Sequence, residues 1–266
     1  MFELCYTSLP QGLDPGTSGY TTVGRSKGMA RGLADIAAGF NRYEAIDSNP
    51  LAFKSNPVNY SHLVKDISGR RVHVISRIGA CEPDYSGRTN FLAHHVLLAA
   101  DEVGGCPAGP AALAGTPGVL MSRWTGEARE MDPRALPSVA AGGPSNTAIV
   151  GAGLAPEWAD ALADRLRDPT VKTVLIYPPQ MDILGIVADA LSQLTPADRW
   201  RATFATYATK QFPPAVVECR LRCVPAGTPY AQELAARGGA DVFDLAKNPA
   251  PPPRRRAVQK LSLIHI

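Results

Sequence analysis

Hydrophobic positions in the first half of the chain mostly follow the alternation that is typical of β-strands. Phe2 to Ser8 and Gly19 to Arg25 predict two strands bounded by a turn-rich loop. From Met29 to Phe40, apolar residues recur on one helical face, which predicts an amphipathic helix. The β-rich runs His62 to Ile67 and Arg71 to Ile78 flank a short glycine-containing turn. This arrangement predicts an antiparallel hairpin.

In the second half, the pattern changes to strands that alternate with helices. Thr147 to Val150 predicts a strand, and Pro156 to Arg167 predicts a helix with proline in its first turn. Val171 to Tyr177 is a short apolar run, typical of a strand that is buried on both faces. A second apolar helical stripe begins at Ile183. Two further strands are predicted, at Ala202 to Ala208 and at Ala215 to Val224.

These two patterns predict two domains with different architectures. We expect a mixed, strand-rich α+β domain over residues 1–140 and an α/β layered domain over residues 146–247. Residues 248–260 are rich in proline and arginine, which predicts an extended linker. Residues 261–266 (LSLIHI) look like a translated sequencing adapter. We therefore expect that the natural chain is truncated here before a further C-terminal region.

Composition and charge narrow the class of protein. With 45% hydrophobic and 19% charged residues, the chain has enough apolar material for a folded core. The balance of 27 basic and 24 acidic residues does not suggest a nucleic-acid partner. The sequence has neither a secretory signal pattern nor an apolar run long enough to cross a bilayer. Five scattered cysteines do not form a disulfide framework, and we expect a cytoplasmic protein.

Motifs for nucleotides and metals are absent or incomplete in the sequence. It contains no GxxxxGK[ST] motif, so any nucleotide hydrolysis would be the work of a partner. Gly151-Ala-Gly153 resembles the start of a dinucleotide-binding turn, but Pro156 takes the place of the third glycine. A tight strand-to-helix turn is the simpler interpretation. No standard zinc-ligand spacing is present, and we expect neither a cofactor nor a metal.

The chemically richest segment concentrates a guanidinium, an amide and two imidazoles, at Arg88, Asn90, His94 and His95. Imidazoles serve as general bases and as metal ligands. The run FLAHHVLLAA fits either a buried strand or a buried helix, because a short apolar run does not define its own period. In a strand, His94 and His95 point to opposite faces. The structural alternative is one buried histidine bonded to the backbone and one at a surface or an interface.

Several long motifs together resemble a known family. They are YTSLPQGLDPGTSGYTTVGRSKGM, SGRTNFLAHHVLL, W-x-G-x-x-R, LIYPPQMD and RWRATFATYATKQFPPAVVECRLRC, and they occur in this order over the first 250 residues or so. The chain resembles the N-terminal (type 2) and middle domains of bacterial GTPase-associated protein 1. The resemblance implies a component that accompanies a GTPase in a predicted conflict, or immunity, system. It supplies no established catalytic residue.

Two functions remain open from the sequence. The first is a non-NTPase regulatory or interaction component that binds a GTPase or another protein of the same system. The alternative is an uncharacterised enzyme with a site around Arg88 and either His94 or His95. An enzyme requires that these side chains converge in one concave pocket, whereas separate burial of the histidines argues against a shared site.

Overall fold

The structure is a computed structural model that describes residues 1–67, 69–209, 219–239, 241–247 and 250–253. Most of the predicted linker, residues 248–260, and all of the predicted adapter peptide, residues 261–266, lie outside the described residues.

The first part of the chain is rich in strands, as predicted. Its strands are β1 (Phe2–Leu9), β2 (Gly19–Ser26), β3 (Asn59–Ile67), β4 (Arg70–Cys81), β5 (Asn90–Ala99) and β6 (Arg129–Met131). Its α-helices are α1 (Arg31–Ala38) and α2 (Pro110–Gly115), and short 3-10 helices span Pro50–Ser55 and Glu102–Gly105. The run FLAHHVLLAA, for which the sequence allowed either a strand or a helix, lies in strand β5 up to Ala99.

The second part of the chain alternates helices and strands. Its helices are α3 (Thr147–Gly151), α4 (Glu157–Arg167), α5 (Ile183–Ser192), α6 (Pro196–Arg199) and α7 (Pro229–Arg237). Its strands are β7 (Thr173–Tyr177), β8 (Phe204–Ala205), β9 (Leu221–Pro225) and β10 (Val242–Asp244). In the part of the chain that the structure describes, no helix is long and apolar enough to cross a membrane.

The strand predicted at Thr147 to Val150 is wrong, because these residues form helix α3. The buried carboxylate of Asp189, in α5, accepts hydrogen bonds from the backbone amides of Ala148 (2.7 Å) and Ile149 (3.0 Å). A carboxylate at the start of a helix satisfies amides that have no partner within the helix. Asp189, which is distant in sequence, therefore stabilises helix α3. The short apolar run carries no sign of this contact, and so the sequence pattern did not indicate a helix. Gly151-Ala-Gly153 consequently connects two helices.

The ten described strands form one mixed sheet, in the order β10-β7-β9-β8-β3-β4-β5-β1-β2-β6. The predicted hairpin is confirmed, because β3 and β4 pair antiparallel. Strands β7 to β10 pair parallel with one another, and β8 joins the two halves by pairing antiparallel with β3. Strands of both halves therefore belong to one sheet in a mixed α+β fold, which confirms the predicted class.

Helices cover both faces of this sheet. Residues of α1 and α7 pack on the face that holds Val74, Val174 and Ile176. Residues of α2, α4 and α5 pack on the opposite face, where Ile75 and Leu175 lie. Consecutive strand residues contribute to opposite cores because side chains alternate across a strand. The same alternation determines where the candidate site residues point.

Candidate functional site

His94 and His95 point to opposite faces of β5, and the solvent-exposed fraction of each is 0%. Both rings are buried because other segments cover the two faces of β5: the backbone of Met121 contacts His94, and the ring of Phe40 packs against His95. The two imidazoles therefore cannot act on one substrate or bind one metal ion. Each belongs to a separate buried hydrogen-bond network.

The network around His94 is ionic. The Nε2 atom of His94 lies 3.0 Å from Oε1 of Glu3, and its Nδ1 atom accepts a hydrogen bond of 2.9 Å from the backbone amide of Met121. Arg134 donates hydrogen bonds to both carboxylate oxygens of Glu3. Burial raises the pKa of Glu3, but hydrogen bonds from His94 and Arg134 outweigh that effect and lower it to about 2. Both nitrogens of His94 are thus engaged within the protein.

The network around His95 is neutral. Its Nδ1 atom lies 2.7 Å from the hydroxyl oxygen of Ser76, and its Nε2 atom lies 2.7 Å from Oδ1 of Asn41. The carbonyl oxygen of Asn41 can only accept, so Nε2 donates and Nδ1 accepts from Ser76. Burial lowers the pKa of His95 to about 3. A serine, a histidine and an amide in series resemble a nucleophile with its base, but Ser76 is also completely buried.

A second pair of buried imidazoles, His62 and His73, was not indicated by any sequence pattern. Nδ1 of His62 lies 2.7 Å from the carbonyl oxygen of Ala202, and its Nε2 atom lies 3.0 Å from Nδ1 of His73. The two rings stack at a centroid distance of 5.2 Å beneath the edge of Trp200. Burial lowers the pKa to about 3 for His62 and about 4 for His73. This pair joins β3 and β4 to the second half of the chain.

Arg88 lies on the surface, in the loop before β5, and its side chain is 65% exposed. Its guanidinium donates to the buried carboxylate of Asp84 at 2.9 Å. Asp84 also accepts hydrogen bonds from the hydroxyls of Ser8 and Ser86 and from the backbone amides of Ser86 and Arg88. Asp84 therefore organises this loop, and Arg88 is one of its several donors.

Asn90 begins β5 and connects the loop to a cavity. Its Oδ1 atom accepts hydrogen bonds from the Thr7 hydroxyl (3.1 Å) and from the backbone amides of Ser8 (3.3 Å) and Phe91 (2.9 Å). Asn90 also lines the cavity. Of the four predicted residues, the structure places Asn90 at a cavity, Arg88 on the nearby surface, and both histidines in the interior.

This cavity has a volume of about 220 Å³ and is rich in aromatic side chains. We call it the aromatic pocket and define it by Tyr20, Tyr43, Phe53 and Phe91, with Asp47 and Asn90 among the polar residues that line it. The rings of Tyr20 and Phe91 stack at a centroid distance of 4.7 Å, and Tyr43 lies 5.8 Å from Phe91. No sequence pattern indicated that these four rings form a pocket, because they come from four separate segments of the chain.

Some exposed apolar residues lie in or next to the chain segments that line the aromatic pocket. Leu51, in the 3-10 helix that also carries Phe53, is 82% exposed, and Tyr85, in the loop before β5, is 57% exposed. Ile46 and Tyr20 are also large, apolar and exposed. Grouped apolar residues at a protein surface are typical of binding sites. The surface around the pocket is therefore the main candidate for contact with another molecule.

A second cavity, of about 530 Å³, lies beyond the carboxyl ends of β7 and β9 and beside the first turn of α7. In open α/β sheets, ligands bind at the carboxyl ends of parallel strands. Tyr207, Gly227 and Tyr230 contribute to its walls. Glu44 and Glu233 line it as well, and the carboxylate of Glu233 is paired with the guanidinium of Arg237 at 2.6 Å.

Within the described residues, no group of histidine, cysteine and acidic side chains has the arrangement of a metal site. The partial glycine motif at Gly151 and Gly153 lies between helices α3 and α4 and does not directly follow a strand. Its geometry therefore differs from that of a dinucleotide-binding turn, in which a strand leads into the helix.

Comparison with known families gives two consecutive matches. Residues 1–141 match the family model described as GTPase-associated protein 1, N-terminal domain type 2. Residues 144–247 match the model described as GTPase-associated protein 1, middle domain. No curated protein and no solved structure matches the chain. Since the matches cover most of the sequence, in the order that its motifs indicated, the chain belongs to the GTPase-associated protein 1 family.

Proposed function

We propose that this protein is a non-NTPase interaction component that binds a GTPase and regulates it within a bacterial conflict, or immunity, system. The observation that carries the proposal is the match of two consecutive segments to domains described as GTPase-associated. The sequence contains no P-loop motif, so we assign nucleotide hydrolysis to the partner. All five cysteines are buried thiols, which fits a cytoplasmic site of action.

The distribution of polar and apolar groups supports binding rather than chemistry in the first half of the chain. The ring nitrogens of His94 and His95 are occupied by hydrogen bonds within the protein, and the guanidinium of Arg88 is paired with Asp84. The exposed features nearby include aromatic and aliphatic side chains, such as Tyr20 and Leu51. Aromatic side chains are enriched at protein interfaces. We therefore assign the GTPase contact to the surface around the aromatic pocket.

The test is calorimetric titration of the full chain with a GTPase of such a system, loaded in turn with GDP and with a non-hydrolysable GTP analogue. We expect saturable binding whose affinity differs between the two nucleotide states, because only differential affinity couples two proteins. The absence of binding in both states contradicts the proposal.

A matched pair of surface variants tests which face makes the contact. Leu51→Ser removes an exposed apolar side chain beside the aromatic pocket, and Val150→Ser removes one in α3, where Val150 is 52% exposed. We expect Leu51→Ser to weaken GTPase binding about tenfold, which is typical of a residue near the centre of an interface. Val150→Ser should leave the affinity unchanged. Equal effects of the two variants would contradict the assignment of this surface.

A further inference from the structure

The two tyrosines of the aromatic pocket present their rings to a ligand, because their hydroxyl groups are hydrogen-bonded within the chain. The hydroxyl of Tyr20 donates to the carbonyl oxygen of Thr89 at 3.0 Å, and that of Tyr43 donates to the carbonyl oxygen of Pro57 at 2.6 Å. Both donors are therefore occupied within the chain. What these two tyrosines offer a ligand is therefore the π-system of their rings, whose faces carry partial negative charge.

The charged groups at the aromatic pocket favour a positively charged ligand. Asp47 lines the pocket and is exposed, and one of its oxygens accepts the backbone amide of Asn49 at 2.8 Å. Among the described residues, no lysine, arginine or histidine lines the pocket, and Asp47 makes no ion pair. Asp47 is thus the charged residue that lines the pocket itself. Nearby, Arg88 is paired with Asp84, and Lys54 lies over the ring of Phe53. Arg77 is close enough to Tyr43 and Cys81 to oppose the rise in pKa that burial gives both groups. A carboxylate beside several aromatic faces attracts a cation.

The size of the aromatic pocket restricts what can enter it. Its volume of about 220 Å³ is below the roughly 300–1,000 Å³ of sites for drug-sized molecules and cofactors. A single long side chain is a better match in size than a nucleotide. Leu51 is exposed in the same 3-10 helix as Phe53, so a protein partner would find an apolar contact next to the pocket.

Arginine suits such a pocket better than lysine. Its planar guanidinium stacks on aromatic rings and can pair with a carboxylate through two N–H groups. The chain itself uses this contact twice: the guanidinium of Arg129 lies 4.4 Å from the ring centroid of Trp124, and that of Arg165 lies 4.9 Å from Phe243. The ammonium of Lys54 lies farther, 5.8 Å from the ring centroid of Phe53.

We infer that the aromatic pocket receives an arginine side chain of the protein partner, with its guanidinium against the rings of Tyr20 and Phe91 and paired with Asp47. The inference rests on the proposed function for the identity of the partner, whereas the chemistry of the pocket can be tested without the GTPase. A cation that contacts an aromatic face contributes a few-fold to about thirtyfold in affinity.

The first test is an NMR titration of the full chain with N-acetyl-arginine amide, compared with the amides of N-acetyl-citrulline and N-acetyl-lysine. Citrulline matches arginine in shape but carries no charge. We expect saturable shifts of the Tyr20 and Phe91 ring resonances with arginine, and binding of citrulline that is about tenfold weaker. Lysine should bind more weakly than arginine. Absence of saturable binding, or equal binding of arginine and citrulline, overturns the inference.

Three variants locate the binding. Asp47→Asn keeps the size of an exposed side chain and removes its charge, so it should weaken arginine binding about tenfold without affecting the fold. Phe91→Leu removes a ring and should have a similar effect. Lys54→Ala, which removes the cation nearest Phe53, should leave arginine binding unchanged or tighter. If Asp47→Asn and Phe91→Leu both bind arginine like the natural chain, the pocket is not the site.

The same variants in the GTPase titration separate the two proposals. GTPase binding that is insensitive to Asp47→Asn and Phe91→Leu overturns the inference about the pocket and leaves the proposed function intact. Arginine binding at the pocket without any GTPase binding contradicts the proposed function and leaves the chemistry of the pocket intact. Loss of GTPase binding in Asp47→Asn, with Lys54→Ala unaffected, supports both.

Discussion

Strand β5 contains two regions with opposite properties. Its middle carries His94 and His95, which are completely buried and whose ring nitrogens all have partners within the chain. Its beginning carries Asn90 and Phe91, which line an accessible aromatic pocket. Side chains suited to catalysis therefore lie in the interior, and side chains suited to recognition lie at the surface.

This difference shows that residue types alone do not indicate the function of a segment, because the function also depends on whether the side chains are buried or exposed. An imidazole in the interior of a sheet stabilises the fold through its hydrogen bonds, because each unpaired polar group there would cost about 1–3 kcal/mol. An aromatic ring at a surface cavity provides binding area at a low cost in conformational entropy. Changes in the middle of β5 should therefore affect stability, and changes at its beginning should affect binding.

The largest expected effect is the pH dependence of stability. Unfolded histidines have a pKa near 6.5, whereas burial lowers the pKa of His62 and His95 to about 3 and that of His73 to about 4. As the pH falls below 6.5, the unfolded state binds protons that the folded state does not, so the free energy of unfolding decreases. Between pH 7.5 and pH 5, each histidine should cost on the order of 1–2 kcal/mol.

Urea denaturation at the two pH values measures this effect, and His95→Gln provides the comparison. The variant should lose one histidine's share of the pH dependence, whatever its stability at pH 7.5. The ionised carboxylate of Glu3 adds a separate loss at lower pH, between about 4.5 and about 2. If the stability of the unmutated chain does not change between pH 7.5 and pH 5, these histidines are not buried and neutral as described.

A somewhat smaller effect is expected from His95→Ala. The change removes a buried ring and leaves Ser76 and Asn41 without a hydrogen-bond partner. It should lower the free energy of unfolding by about 2–4 kcal/mol at neutral pH. Tyr85→Ala, at an exposed position, should change it by no more than about 0.5 kcal/mol. If His95→Ala is as stable as Tyr85→Ala, the network around His95 does not stabilise the fold.

The smallest effect is expected from Arg88→Ala. Its guanidinium is largely exposed, and without it the buried carboxylate of Asp84 still accepts hydrogen bonds from Ser8 and Ser86. We expect no measurable change in the urea midpoint. Asp84→Ala should cost about 1–3 kcal/mol, because Ser8 and Ser86 also lose their acceptor. The reverse order of these two variants would contradict the view that Asp84 organises the loop.

The pattern of the sequence was sufficient to predict most elements of the sheet and its helices. Strands β1 and β2, the β3–β4 hairpin, and helices α1, α4 and α5 correspond to predicted elements, because local periodicity determines which face of each is apolar. The strand predicted at Ala202 to Ala208 is shorter in the structure, at Phe204–Ala205. For the strand predicted at Ala215 to Val224, the structure has Leu221–Pro225, and residues 215–218 lie outside the described part of the chain. The family was also evident from the order of the motifs.

Sequence by itself therefore determined the family and the mixed fold. Only the tertiary structure decided that His94 and His95 are both sealed in the sheet and that Phe53 and Tyr43 meet Tyr20 and Phe91 in one pocket. The physical reason is the range of the interactions. Periodicity is a local property, whereas burial and pocket formation depend on which distant strands and loops come together.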